Sequence, residues 1–575
     1  MSRIVLIGLA AGALALAGCK PAESPAPAAA PAASETAGLP ASDHAFQPAI
    51  DADDFAELVK TLASDEFEGR GPGSLGEERT VEYLRAQMQR IGLQPGNGDS
   101  YFQDVPMVET TADPSTTLSL TIDGKPVELA FGTDMVVGTR TGQAQVSVKD
   151  SPVVFVGYGV DAPERDWNDY GDADWTGKTV VMFVNDPGFH ADDAKLFEGK
   201  KMTYYGRWTY KFEEAARRGA AAALIVHDDA GASYGWDVVK NSWSGAQYDL
   251  PASDDPEPRL PIQGWLTADA ARTLFAGAGL DLKDAYAKAG KPGFKPIPLN
   301  ATLSVDLAST TAAKTSRNVI GVLPGSSRAD EAVLYMAHWD HLGKHEGEAG
   351  EDTIYNGAVD NATGVAGILE IAEAFAHQEQ KPERSVVFAA VTLEESGLLG
   401  SKYYVAHPTF PLDKIAGVVN LDAMSVGGRS RDLVVTGLGN SELEDMLKVH
   451  ADRQGRTLAE EGNTAGGYYF RSDHFNFAKA GVPALYAKGG SDLREGGTEA
   501  GKAASADYAK RYHQPSDEVH DGWRYDGVVE DLDALYGVGK DLAAGDRWPN
   551  WYQGNAFKAA RDAMMAAKAE AAPAH

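Results

Sequence analysis

Three apolar runs in this 575-residue chain stop on residues that bind metals or move protons. Residues 332–337 (AVLYMA) lead into His338-Trp339-Asp340-His341, residues 385–393 (SVVFAAVTL) into Glu394-Glu395, and residues 416–421 (AGVVNL) into Asp422. Two polar strings accompany them: 356–364 (NGAVDNATG), which holds Asp360, and 512–517 (YHQPSD), which holds His513. The chain has one cysteine, so a Cys-based zinc site is excluded and a catalytic metal has to rest on His, Asp and Glu. In an extended segment residues i and i+2 face the same way, which sets Asp340 beside His338 and turns His341 away. A carboxylate beside a ligating imidazole fixes its tautomer and raises its basicity, so His338 reads as a ligand and Asp340 as its backing acid. The alternative is that His338 and His341 both ligate, as they would on a helix. Glu394 and Glu395 leave the backbone in different directions, so one can bind metal while the other moves protons. That division suits hydrolysis, in which a metal lowers the pKa of water and a free carboxylate takes its proton.

These residues need elements to position them. From residue 317 onward apolar strand-like runs alternate with helical patterns such as residues 364–377 (GVAGILEIAEAFAH). Buried strands alternating with helices predict an α/β fold with a mixed, largely parallel central sheet flanked by helices on both faces. Sites in such sheets form beyond the carboxyl ends of the strands, where the three runs put their acids and histidine. Before this region, residues 51–62 and 77–91 read as amphipathic helices, the second stopped at Gly92, with a glycine-rich break at 69–73 between them. Residues from about 115 to 300 are β-rich with one strand–helix–strand passage. Their histidines, His190 and His227, have no carboxylate at ligand spacing and read as ordinary surface or loop residues.

The strings HWDH, GAVDNATG, LEESGLLGS, NLDAM, RSDHFNFAKAGVPAL and YHQPSDE stand in the order seen in the M28 zinc peptidases. The resemblance covers about residues 50–115 and 310–540, and the β-rich stretch between resembles a protease-associated (PA) domain. It implies the zinc-dependent exopeptidase fold with an inserted β-rich PA domain, two Zn2+ per chain, and cleavage of the first peptide bond of peptides with a free N-terminus. Carried over by position, Asp360 bridges the two ions, His338 and Asp422 complete one site, and Glu395 and His513 complete the other. Glu394 becomes the general acid/base, Asp340 the acid behind His338, and Tyr469 a substrate-side residue. The expected domains are 1–18 signal peptide, 19–44 tether, 45–130 first peptidase segment, 131–300 insert, 301–565 main peptidase segment and 566–575 tail.

Other functions on this fold predict other features. A non-catalytic receptor-like homologue should have lost ligands, and a glutaminyl cyclase uses one zinc; the complete ligand set argues against both. Glutamate-releasing carboxypeptidases of this type continue into a long helical domain, for which too little chain follows His513, so carboxypeptidase or dipeptidase action is the lesser alternative.

The net charge of −31 with no basic stripe argues against nucleic acid as a partner. Arg3, the apolar run 4–17 and Leu16-Ala17-Gly18-Cys19 resemble a bacterial lipoprotein signal, which implies cleavage before Cys19, lipid attachment to its thiol and a membrane anchor. Within that lipoprotein resemblance, Lys20 after the cysteine implies the outer membrane, facing the periplasm. The Pro/Ala-rich residues 20–43 read as a solvated tether. The acidic stretch 346–352 reads as a solvated loop, with Ca2+ as the alternative. Side-chain preference and oligomeric state are not encoded in any of these patterns.

Overall fold

The computed structural model describes residues 44–571 except 192, 256, 346, 348 and 349, with backbone only for 569–571. Cys19, the signal segment and the tether lie outside the described residues. Helix α1 (Ala52–Leu62) is capped by Asp51, whose carboxylate accepts from the amides of Asp53 and Asp54. Helix α2 (Leu75–Ile91) is capped by Ser74 and ends at Gly92 in the left-handed conformation, φ 89°. Strand β1 (Phe102–Ala112) then leads out into the insert, and the chain returns along β2 (Ile297–Leu323). The rest of this sheet is β3 (Arg328–His338), β4 (Arg384–Val391), β5 (Ile415–Asn420) and β6 (Ala484–Gly489). Between them come α3 (Thr363–His377) and, after β6, α4 (Asp526–Ala544).

The sheet is mixed, with a parallel centre. β6, β5, β3 and β4 run parallel in that order, and β2 and β1 extend the β4 edge antiparallel. Every residue of β4 and β5 is buried, which explains their continuous apolar sequence: both faces are covered. Helices α1, α3 and α4 pack together on one face. A cluster including Tyr404, Phe475, Phe477 and Trp551 fills the other. The α/β architecture expected from the alternating pattern is the one found.

The insert has its own sheet. Its strands Thr179–Phe183, Ala222–Val226 and Ile262–Leu266 are parallel and buried throughout. This sheet starts at Thr117 rather than at 131, because the hairpin Thr117–Ile122/Lys125–Ala130 pairs with Ala301–Val305 and not with β3, β4, β5 or β6. At the other end it reaches Ala308, inside β2. The 27-residue β2 thus belongs to both sheets: its first half pairs within the insert and, from Ser309, its second half pairs with β1 and β4. A single long strand carries no break for periodicity to find, which is why the border falls inside an element.

Between α1 and α3 lies a buried acid that meets no cation among the described residues. Glu370 accepts the amide of Asp51 at 2.8 Å, while Asp54, Glu373 and Asp51 crowd it. Burial first, and these carboxylates next, push its pKa up to about 8. The folded state therefore holds a proton that the unfolded chain has already lost above its ordinary value. The stability this contributes is present at low pH and lost as pH rises through about 8. Glu370→Gln keeps the acceptor without the charge. It should raise Tm at pH 8.5–9 by an amount equivalent to about 1–2 kcal/mol and change it little at pH 4–5; a pH-independent effect in thermal melts would contradict this origin.

Candidate active site

The parallel register aligns the chemistry. Met336 pairs with Asn420, so two residues on, His338 is level with Asp422; on the other side His338 pairs with Val391, three residues before Glu394. The loop ahead of α3 brings Asp360 over these ends, and the turn after residues 497–511 brings His513. Two poles result. His338 Nε2 lies 3.2 Å from Asp360 Oδ1 and 3.5 Å from Asp422 Oδ1. His513 Nε2 lies 3.4 Å from Asp360 Oδ2 and 3.1 Å from Glu395 Oε2. Asp360 faces one pole with each oxygen.

These atoms are close without being hydrogen-bonded. The Nε2 atoms of His338, His341 and His513 are all buried and lack a hydrogen-bond partner. Ligands at 2.0–2.1 Å from a tetrahedral ion stand roughly 3.3 Å apart, which is the spacing seen at both poles. Imidazole and carboxylate donors suit zinc, so the residues present fit two such ions.

The electrostatics agree. Burial alone would lower the pKa of His338, but Glu394, Asp360 and Asp422 around it raise it. Burial would likewise lower His513, yet Glu395 and Asp360 hold it at about 10. Burial and Asp360 would raise Glu395, but His513 and His341 outweigh them and keep it at about 2. Glu394 goes the other way: burial, reinforced by Glu395 and Asp422, lifts it well above the ordinary carboxylate range although His338 opposes. The two adjacent glutamates thus differ as acids, Glu395 anionic and Glu394 able to hold a proton.

Backbone anchors hold the poles. Asn361 donates to Leu421 O at 3.0 Å and accepts from Gly364 and Ala423, tying the Asp360 loop to the Asp422 loop. Asp517 accepts the amides of Val359 and Asp360, tying the His513 segment to the same loop. Arg70, fully buried, donates to the carbonyls of Leu62, Trp339, Asn356 and Gly357 at 2.6–2.8 Å. Gly357 has φ 54°, and a Cβ there would sit 2.5 Å from the His341 ring, so only glycine lets loop and ring meet.

Most of the expected residues converge: His338, Asp360, Asp422, Glu394, Glu395 and His513 share one site. Three details differ. His341 does not turn away. The strand ends at His338, and the bend after it points the His341 ring inward, with Nδ1 at 2.7 Å from Glu395. A ring nitrogen of His341 groups with the carboxylates of Asp360 and Glu395 at a spacing that could hold an ion. Asp340 backs His338 through its main-chain carbonyl, 3.1 Å from Nδ1, while its carboxylate stands 3.8 Å off and accepts the Glu394 amide. Tyr469 does not reach this site. The tight turn Tyr468–Phe470 sends successive side chains in different directions, and Tyr469 packs against His474 in the core, 3% exposed. The aromatic at the site is Tyr512, stacked on His513 with ring centres 3.9 Å apart. As for calcium, no group of three ligands forms at 346–352 among the described residues.

A cleft of about 430 Å³ opens onto the poles, lined by Glu394, Glu395, Tyr512 and His513 and, from the insert, by Trp208 and Phe212. An α/β sheet with a paired His/carboxylate metal centre at the carboxyl ends of its parallel strands defines a class of metallohydrolases. Residues 318–528 match the model of peptidase family M28. It is 28% identical over 232 residues to Aminopeptidase NAALADL1 of Rattus norvegicus, covering 32% of this chain and 29% of that protein. It is 33% identical over 228 residues to a probable zinc metalloprotease of Pyrenophora teres f. teres, covering 38% and 42%. The chain thus spans less than half the length of these relatives. Among solved structures, an aminopeptidase from Aneurinibacillus sp. strain AM-1 aligns over 86% of this chain and 94% of its own, at 19% identity and TM-score 0.45.

Two measurements probe this architecture. Zinc has to displace the proton that His513 carries at neutral pH, so binding to metal-free protein should release protons and tighten as pH rises. Calorimetry in buffers of different ionisation enthalpy reads this directly, and a buffer-independent heat would refute it. Arg70→Met strands the buried carbonyls of Leu62, Trp339 and Asn356, while that of Gly357 keeps the Ala362 amide, and should cost on the order of 3 kcal/mol in denaturant unfolding; a loss below about 1 kcal/mol would show that water replaces the guanidinium.

Proposed function

We propose that this chain is a two-zinc aminopeptidase that removes the N-terminal residue of peptides. The observation that carries the reading is the pair of poles sharing Asp360, with a raised-pKa carboxyl, Glu394, facing the cleft beside them. In this reading His338, Asp360 and Asp422 hold one ion, and Asp360, Glu395 and His513 the other. Zinc bound there supplies a lowered pKa for water and polarisation of the scissile carbonyl. Glu394 takes the proton of the attacking water and passes it to the leaving amine, a role suited to a carboxyl whose burial raises its affinity for a proton. The acids around the poles attract an α-ammonium group, which favours substrates with a free N-terminus. The walls contributed by Trp208 and Phe212 exclude water from one side of the cleft. The same reading includes export, a lipid anchor at Cys19 and a PA-like character for the insert.

Glu394→Gln should retain two zinc ions per chain by elemental analysis and lose about 10²–10⁴-fold in kcat. Metal loss in that variant would exchange the roles of Glu394 and Glu395. Unblocked aminoacyl anilides and peptides should be cleaved and their N-acetylated forms should not; turnover that survives acetylation would replace the aminopeptidase reading with carboxypeptidase or endopeptidase action.

A further inference from the structure

The cleft has a second chemical feature on its insert side. Most cations lining it are already neutralised: Arg140 by Asp249 at 3.0 Å, Arg259 and Lys402 by Asp255 at 2.9 and 2.7 Å, and Lys479 by Glu213 at 3.3 Å. Arg207 and Arg471 line the same cleft, and neither meets a carboxylate among the described residues. The Nε of each is buried without a hydrogen-bond partner, and Arg207 is only 8% exposed. They are neighbours: burial first and Arg471 second pull the Arg207 guanidinium down to about 9, which still leaves it charged at neutral pH. Arg207 also immediately precedes the helix Trp208–Arg217, whose first turn holds no acid and no side-chain cap, so the helix end adds partial charge of the same sign.

Two adjacent guanidinium groups, one of them buried, are costly without an anion between them. Their forked donors match a carboxylate, which accepts two parallel N–H bonds. The insert contributes Arg207 and the α/β domain Arg471, so the pair lines the same cleft as Glu394, Glu395 and His513.

We propose that Arg207 and Arg471 form a carboxylate-binding subsite that grips the substrate downstream of the scissile bond while its amine end lies at the metal poles. This deepens the aminopeptidase reading and rests on it. The carboxylate has two sources: the C-terminus of a short peptide, or an Asp or Glu side chain in a longer one.

The test compares Leu-Gly-Gly, its C-terminal amide, and amide-capped peptides with Glu at the second or third position. The wild-type protein should show kcat/KM about tenfold or more higher for a carboxylate-bearing peptide than for Leu-Gly-Gly-amide, the gain of a charge-assisted bidentate contact. Preference for the free acid assigns the C-terminus, and preference for the Glu peptides assigns a side chain. In Arg207→Gln and Arg471→Gln the preference should fall to within about twofold. Equal rates on all peptides in the wild type, or a preference unchanged in both variants, would overturn the subsite. Arg471 is partly exposed, so its variant serves if the buried Arg207 replacement does not fold. A binding arm needs no turnover. Calorimetry with the Glu394→Gln protein should show the preferred acid binding about tenfold tighter than the amide, and the addition of Arg471→Gln should erase that difference. Failure to hydrolyse an unblocked aminoacyl anilide would sink the aminopeptidase reading alone, while the binding arm still decides the arginines.

Discussion

One guanidinium sits where three parts of the peptidase domain meet. Arg70 comes from the short turn between the first two helices, yet its donors end on the end of α1, the loop after β3 and the loop that carries Asp360. A buried charge is tolerated only when its hydrogen bonds are filled, and here backbone carbonyls fill them. Burial lowers its pKa to about 10, while Asp517, Asp340, Asp360 and Glu395 act in the opposite direction, so it remains a cation. The N-terminal helices are therefore part of the site's frame, although they contribute no group to the chemistry.

Around that frame the site is built from opposed demands. Four acids and three histidines share a small, largely buried volume, where like charges repel strongly. Protons on His338 and His513 offset the carboxylates, and divalent ions would take over that balance. Each loop that brings a ligand is locked by a polar side chain of the neighbouring loop: Asn361 to the Asp422 loop, Asp517 to the Asp360 loop. Rigid placement is what keeps Glu394 and Glu395, adjacent in sequence, in different protonation regimes.

Much of this was legible from residue types alone. Apolar runs ending in acids and histidine announce strand ends, and a parallel sheet gathers strand ends at one edge, so His338, Glu394, Glu395 and Asp422 could be grouped before any coordinates. The supports were less legible. Arg70 stands among glycines with no periodic context, and Asn361 and Asp517 lie inside strings whose neighbouring ligands draw the attention. His341 was misdirected by extending strand geometry one bend too far. Tyr469 illustrates the opposite limit: a turn of three aromatics cannot be resolved into core and cleft without knowing its twist. The insert's borders were invisible because β2 changes partners without changing texture.

That change of partners matters for movement. β2 runs unbroken from one sheet into the other, and beside the junction it is laddered to β1 from Ser309 to Val319, the strand by which the chain leaves for the insert. Flexible linkers let two bodies rotate; a paired, continuous ribbon resists rotation, since bending it sharply would break the ladder. The gap between the insert and the metal poles then behaves as a fixed gauge rather than a jaw. In the proposed reading, the spacing between Arg207 on one side and His513 on the other would then be set at folding, and substrates would be sorted by their length and end groups.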